Sequence, residues 1–245
     1  MSAKITVLAT PIGNLKDISL RGIEALREAE LILCEDSRVS RKLLNFLEIY
    51  DKKLISYHKF NENSVISKIS PLIFSGKKVL LISDAGSPLV SDPGQFLINW
   101  AHKNEIDVDF LPGPCAFVSA FVLSGFDSPL IFMGFFNSRK QQIIKQITIF
   151  KPNFSYIFYI SPHKLINILE VIKEIYGDNI EIFLVKEMTK LHQKYFFGTP
   201  ISIINQLKDS LKGEFTMVLR LKNEKDLQIK KRKINIKNFL KIMYN

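Results

Sequence analysis

Over residues 4–111, short apolar runs alternate with stretches of helical spacing, and that alternation confines the chain to an α/β fold. The runs Lys4–Ala9, Leu31–Cys34, Leu54–Tyr57, Val79–Ile82 and Val108–Leu111 have strand length. Between them, helical spacing covers Ser19–Ala29, Ser37–Glu48, Ser64–Phe74 and Gly94–Lys103, and Ala116–Ser124 follows the fifth run. Such an order predicts parallel β-α-β units with right-handed crossovers. After a break at Gly125–Pro129 the pattern is less regular. Strands are expected at Ile131–Phe135, Tyr156–Ile160, Ile182–Val185, Tyr195–Gly198 and Phe215–Leu221. Helices are expected at Arg139–Phe150, Lys164–Tyr176 and Pro200–Leu207, the last capped by Thr199. The reading is two α/β domains, residues 1–124 and 125–222, and a basic tail, 223–245.

The unusual residues are not scattered through this pattern. Thr10-Pro11-Ile12-Gly13-Asn14 follows the first run, and Glu35-Asp36-Ser37-Arg38 the second. His58 and Asn61-Glu62 follow the third, Ser83-Asp84-Ala85-Gly86-Ser87-Pro88 the fourth, and Pro112-Gly113-Pro114-Cys115 the fifth. All lie at carboxyl ends of expected parallel strands, the edge where α/β sheets bind ligands. Neither the dinucleotide fingerprint nor the phosphate-binding loop follows the first strand, which argues against NAD enzymes and P-loop NTPases. Proline removes a donor and glycine permits close backbone approach, so these turns suit a flat ligand held by backbone groups.

Composition narrows the setting. The 245 residues are 47% hydrophobic, enough for a core without disulfides or metals. Cys34 and Cys115 have no zinc-ligand spacing, no metal cluster is visible, and a reducing compartment is expected. The stretch Phe110–Phe126 is interrupted by Pro112-Gly113-Pro114 and falls short of the about 20 apolar residues of a membrane span. It reads as a buried loop and helix. With no signal-peptide pattern at the start, a cytoplasmic protein with no membrane partner is expected. The net charge of +10 is concentrated at the end, where residues 220–245 hold nine basic and two acidic side chains. Such clusters attract phosphates, so a nucleic-acid partner and a merely solvated tail both stand.

The motifs together resemble a known family. Thr10-Pro11-Ile12-Gly13-Asn14-Leu15, Glu35-Asp36-Ser37-Arg38, Ser83-Asp84-Ala85-Gly86-Ser87-Pro88, Ser91-Asp92-Pro93-Gly94 and Pro112-Gly113-Pro114-Cys115-Ala116 occur in this order in the ribosomal RNA small subunit methyltransferase I family. Phe158-Tyr159 with Ser161-Pro162-His163, Glu187-Met188-Thr189-Lys190 and Gly213-Glu214 fit as well. These are class III, tetrapyrrole-methylase-like enzymes. The resemblance implies two α/β domains with S-adenosylmethionine in the cleft between them, 2′-O-methylation of a decoding-site cytidine in small-subunit rRNA, and a homodimer acting on the 30S subunit. The sequence departs from the family pattern at Lys59, Asn137-Ser138, Ile160, Lys164, Lys186 and Met188. It also lacks most of the C-terminal extension of longer relatives, for which the basic tail is expected to substitute in part.

By that resemblance the cofactor falls to Pro11, Ile12, Asp84, Ala85, Gly86, Ser87, Pro112, Gly113, Cys115 and Ala116, with Tyr159, Val185 and Thr216 enclosing the adenine. A ribose hydroxyl needs a positioned base. The candidates are His58, Glu35, Asp36, Glu187 and Lys190, a lysine serving if desolvation lowers its pKa. Glu35 and Asp36 have a competing role, capping the helix at Ser37 and orienting Arg38. RNA contacts are expected from Asn14, Arg38, Arg41, Lys42, Asn61, Arg139 and Lys140. Two alternatives remain: a tetrapyrrole methyltransferase, whose glycine-rich first turn is replaced here by Thr10–Asn14, and a ribosome-binding factor that has lost catalysis.

Overall fold

A computed structural model describes residues 4–127, 129–207 and 211–222. The expected basic tail, 223–245, lies outside the described residues. The chain divides into two compact units, Met1–Ala116 and Phe117–Asn245.

The first unit is built on five parallel strands: β1 (Lys4–Leu8), β2 (Leu31–Cys34), β3 (Leu54–Ser56), β4 (Val79–Ile82) and β5 (Asp107–Leu111). Their order in the sheet is β3-β2-β4-β1-β5. The helices α1 (Leu20–Glu28), α2 (Ser37–Phe46), α3 (Glu62–Phe74) and α4 (Gln95–Lys103) connect them. Strand side chains alternate between faces, and so does their packing. Ile5, Val7, Leu31, Leu33, Val79 and Leu81 join a core with Ile69, Ile73 and Leu97 of α3 and α4. Leu8, Ile32, Cys34, Leu80 and Ile82 face the other way, with Leu26, Leu43 and Leu44 of α1 and α2. Both faces are covered, as a parallel sheet requires, and each fully buried aliphatic contributes about 1.5–3 kcal/mol. Ser19 starts α1, its hydroxyl accepting from the Gly22 N–H at 3.1 Å. Helix α2 ends two residues before Glu48, which takes a left-handed φ of 56° that no helix interior tolerates.

The second unit begins with α5 (Ala116–Ser124) and holds a mixed sheet. Its strands are β6 (Leu130–Phe135), β7 (Ser155–Ile160), β8 (Ile180–Lys186), β9 (Lys194–Gly198) and β10 (Phe215–Leu221), ordered β6-β7-β10-β8-β9. β6 and β7 run parallel, whereas β10 is antiparallel to both β7 and β8. One face packs on α6 (Lys140–Ile147), α7 (Leu165–Tyr176) and α8 (Pro200–Gln206) through Tyr156, Phe158, Ile182, Leu184, Met217 and Leu219. Thr199 caps α8, as the sequence predicts.

The division falls eight residues before the expected boundary, because α5 packs with the second unit: Phe117 stacks on Phe132 of β6 at 4.4 Å. The buried loop and helix expected over Phe110–Phe126 is corrected as well. Phe110, Val118, Val122 and Leu123 are exposed, and α5 buries Ala120 and Ser124. The helix is apolar on every side, so its composition does not say which side packs.

Candidate active site

In the first unit the clusters after β1, β4 and β5 meet. Thr10 and Gly86 exchange backbone hydrogen bonds of 2.8 and 3.0 Å. The buried Thr10 hydroxyl also donates to the Ser83 carbonyl. Gly86 has φ of +83°, and a Cβ there would lie 3.4 Å from Ile12 and 3.8 Å from the Pro114 carbonyl. Those are ordinary contact distances, so it is the left-handed φ that favours glycine where the three loops meet. Gly113 is limited by space instead, since a Cβ there would come within 3.1 Å of Ala9. Pro11 and Ile12 are buried, while Ala85, Pro112 and Gly113 are exposed, and Ser87, Cys115 and Ala116 are half-buried.

Carboxylates gather at the same strand edge. The Asp36 N–H donates to Asp84 Oδ1 at 3.0 Å, tying the loop after β2 to the loop after β4. Burial, then the charge of Asp84, raises the pKa of Glu35; burial likewise raises that of Asp84. Asp92 is pushed up to about 6, first by burial and then by Glu35. The sequence reading quoted the Ser91–Gly94 motif but did not select Asp92. Its loop is strained, with Leu89 and Ser91 both at φ of 70°, a sign of function visible only in three dimensions.

Asp36 caps α2. Its Oδ1 accepts from the Arg38 N–H at 2.8 Å, and Arg38 Nη2 closes on Oδ2 at 2.6 Å. The Arg38 hydrogen bonds hold its pKa at about 2. Arg38 is thus engaged by Asp36, though its side chain is exposed, as are Arg41 and Lys42. Asn61 is spent on the turn after β3: it accepts from the His58 N–H and donates to the Ser56 carbonyl, both at 2.8 Å. Asn14 caps a 3-10 turn, Leu15–Asp17. His58 is half-buried, within electrostatic reach of Glu35, and its Nδ1 accepts from Phe60.

In the second unit, Tyr159, Thr216 and Val185 stand side by side on β7, β10 and β8, in a row that runs from Phe135 to Tyr195. Alternation puts this row on the face opposite the α6–α8 core. Beyond it lies an ionic cluster. Lys190 Nζ is 3.2 Å from Glu187 Oε1 and 2.9 Å from Glu214 Oε2. Burial works to lower the Lys190 pKa, but the hydrogen bond and charge of Glu214, then those of Glu187, outweigh it, so the pKa is raised. The lowering that a lysine base needs is absent. Glu187 is also desolvated, yet its bonds to the Glu214 N–H and Lys190 hold its pKa down. Arg139 and Lys140 are exposed at the start of α6, with Lys140 paired to Glu174 at 2.7 Å.

The first unit's edge suits S-adenosylmethionine. The carboxylates of Asp84, Glu35 and Asp92 carry the sign of charge that complements a sulfonium or an ammonium, and the loops that meet there offer backbone groups. Among the described residues no group of side chains fits a metal ion, and no helix is long and apolar enough to cross a membrane.

Comparison with known proteins identifies the family. The family model for tetrapyrrole (corrin/porphyrin) methylases matches residues 4–202. A ribosomal RNA small subunit methyltransferase I of Mesomycoplasma conjunctivae is 57% identical over 93% of this chain and 95% of its own. The enzyme of that name from Mycoplasmopsis pulmonis is 47% identical over 90% and 99%. Among solved structures, uroporphyrin-III C-methyltransferase from Thermus thermophilus shares the fold, with a TM-score of 0.63 at 14% identity over 89% of this chain and 94% of its own. The chain therefore belongs to the tetrapyrrole methylase family of S-adenosylmethionine-dependent methyltransferases, within its ribosomal RNA small subunit methyltransferase I branch.

Proposed function

We propose that the protein methylates the ribose 2′-hydroxyl of a decoding-site cytidine in small-subunit rRNA, acting as a cytoplasmic homodimer on the 30S subunit. The observation that carries this reading is the meeting of Ile12, Gly86 and Pro114 at the edge that bears Glu35, Asp84 and Asp92, in a chain of this family. Those loops are assigned the cofactor.

Bound S-adenosylmethionine supplies an electrophilic methyl group on a positively charged sulfur, and the acceptor hydroxyl gives up its proton as its oxygen takes that methyl. Asp84 holds positive charge and ties two loops. A proton acceptor works best with a pKa near the working pH. Asp36, held at about 2, is far from that range; Asp92, at about 6, and the raised Glu35 are nearer to it. We assign the proton to this pair. Arg41, Lys42, Arg139 and Lys140 are assigned phosphate contacts, which position RNA without reading its sequence.

The test is to incubate the protein and S-adenosylmethionine with unmethylated small subunits and map the product by nucleoside mass spectrometry. The expected product is 2′-O-methylcytidine at the decoding site. A base-methylated nucleoside, or none, contradicts the reading. Light scattering of the purified protein tests the dimer.

A further inference from the structure

The Lys190 cluster has a construction that a proton acceptor would not need. Glu187 and Thr189 both hold left-handed backbone, with φ of 52° and 61°, a conformation that is strained for a non-glycine residue. The surroundings enforce it. The Glu187 N–H donates to the Glu214 carbonyl at 2.9 Å, and the Glu214 N–H donates to Glu187 Oε1 at 2.8 Å. Gly213, at φ of +113°, leaves the space that the Glu187 carboxylate fills: a Cβ there would lie 2.8 Å from Oε1. The loop after β8 is thus bolted to the turn before β10, and the bolt presents two carboxylates to one ammonium. An ammonium has three N–H donors and no acceptor. Among the described residues, two of the three go to Glu187 and Glu214, which leaves one.

We infer that Lys190 works as a fixed cation, positioned by Glu187 and Glu214, and gives its remaining N–H to an anionic oxygen of the acceptor nucleotide rather than receiving a proton from it. Glu187 and Glu214 are positioning residues. The inference rests on the methyl-transfer reading for the identity of the anion, but the charge state of Lys190 does not. A lysine binds phosphate oxygen as a point charge, and such a group restrains substrate without reading a base. The raised pKa of Lys190 agrees with the geometry.

The experiment has two arms on the full-length protein. In the first, Lys190 is labelled with trace acetic anhydride across a pH series and read by peptide mass spectrometry. The expected midpoint lies above that of an ordinary lysine, and Glu214→Gln lowers it. In the second, methyl transfer to small subunits is compared for Lys190→Arg and Lys190→Met. Arginine keeps the charge and stays within about tenfold of the parent. Methionine, which removes a charged hydrogen bond, loses about tenfold to a hundredfold more than arginine does. A Lys190 that titrates below an ordinary lysine, or an arginine variant as inactive as the methionine variant, overturns the assignment. Where the parent protein methylates no rRNA, the functional reading fails while the labelling arm still decides the charge on Lys190.

Discussion

The two units answer the same problem differently. The first is an all-parallel sheet, so every strand delivers its following loop to one edge. The second inserts β10 antiparallel between β7 and β8, so its candidate site residues come from a strand row and from the opposed ends of β8 and β10. Their electrostatics differ in the same way. The first unit buries its carboxylates and crowds them, and burial first, then neighbouring charge, raises Glu35, Asp84 and Asp92. The second pairs opposite charges, leaving Glu187 lowered and Lys190 raised. Crowded like charge destabilises the empty fold and favours a cationic ligand, whereas a balanced cluster holds a geometry with or without one.

Four substitutions probe that contrast. The largest effect is expected from Gly94→Ala, on the loop that carries Asp92. Gly94 has φ of +133°, and a Cβ would press within 2.7 Å of Leu89 and 2.9 Å of Leu81. Strain and overpacking together cost about 2–5 kcal/mol, read as a fall in the denaturation midpoint of the purified protein. Next is Asp84→Asn, which keeps an oxygen for the Asp36 N–H but removes the charge. Loss of a charged contact weakens S-adenosylmethionine by about 1.5–3 kcal/mol, roughly ten- to hundredfold in Kd by calorimetry.

Asp92→Asn tests the crowding through pH. The folded carboxyl titrates at about 6 against 3.8 ordinarily. Between those values the folded chain keeps a proton that the unfolded chain has lost, so stability falls as pH rises through the window. The variant is expected to flatten that part of the slope, measured as melting temperature from pH 4 to pH 7. A parent protein whose stability rises across the window would break the comparison. The smallest effect belongs to Arg41→Ala, an exposed side chain. It is expected to lower the salt dependence of RNA binding by about one unit of log–log slope and to leave cofactor binding alone.

Local chemistry made much of this molecule legible. β2, β4, α5 and β10 have the limits that the sequence predicts, because most of the apolar runs there are bounded by polar or charged residues or by glycine. The convergence of loops in the first unit followed from parallel topology alone. Strand order in the second unit did not, because pairing β10 between β7 and β8 is decided by contacts far apart in sequence. The same limit hid Asp92 and Glu214. Each stands within a motif of the resemblance, and the partners that single it out, Glu35 for one and Lys190 for the other, come from distant loops. Asp36 shows the converse. Both of its roles were visible in Glu35-Asp36-Ser37-Arg38, and only the bidentate contact with Arg38 separates the cap from the base.

The central claim is a division of labour: Asp84 in the first unit holds the cofactor, and Lys190 in the second unit serves the acceptor as a fixed cation. Calorimetric titration of S-adenosylmethionine into the parent protein, Asp84→Asn and Lys190→Met tests it most directly. The account predicts saturable binding to the parent, binding weakened in Asp84→Asn, and binding in Lys190→Met equal to that of the parent. Undiminished binding in Asp84→Asn, or binding lost in Lys190→Met, would contradict it.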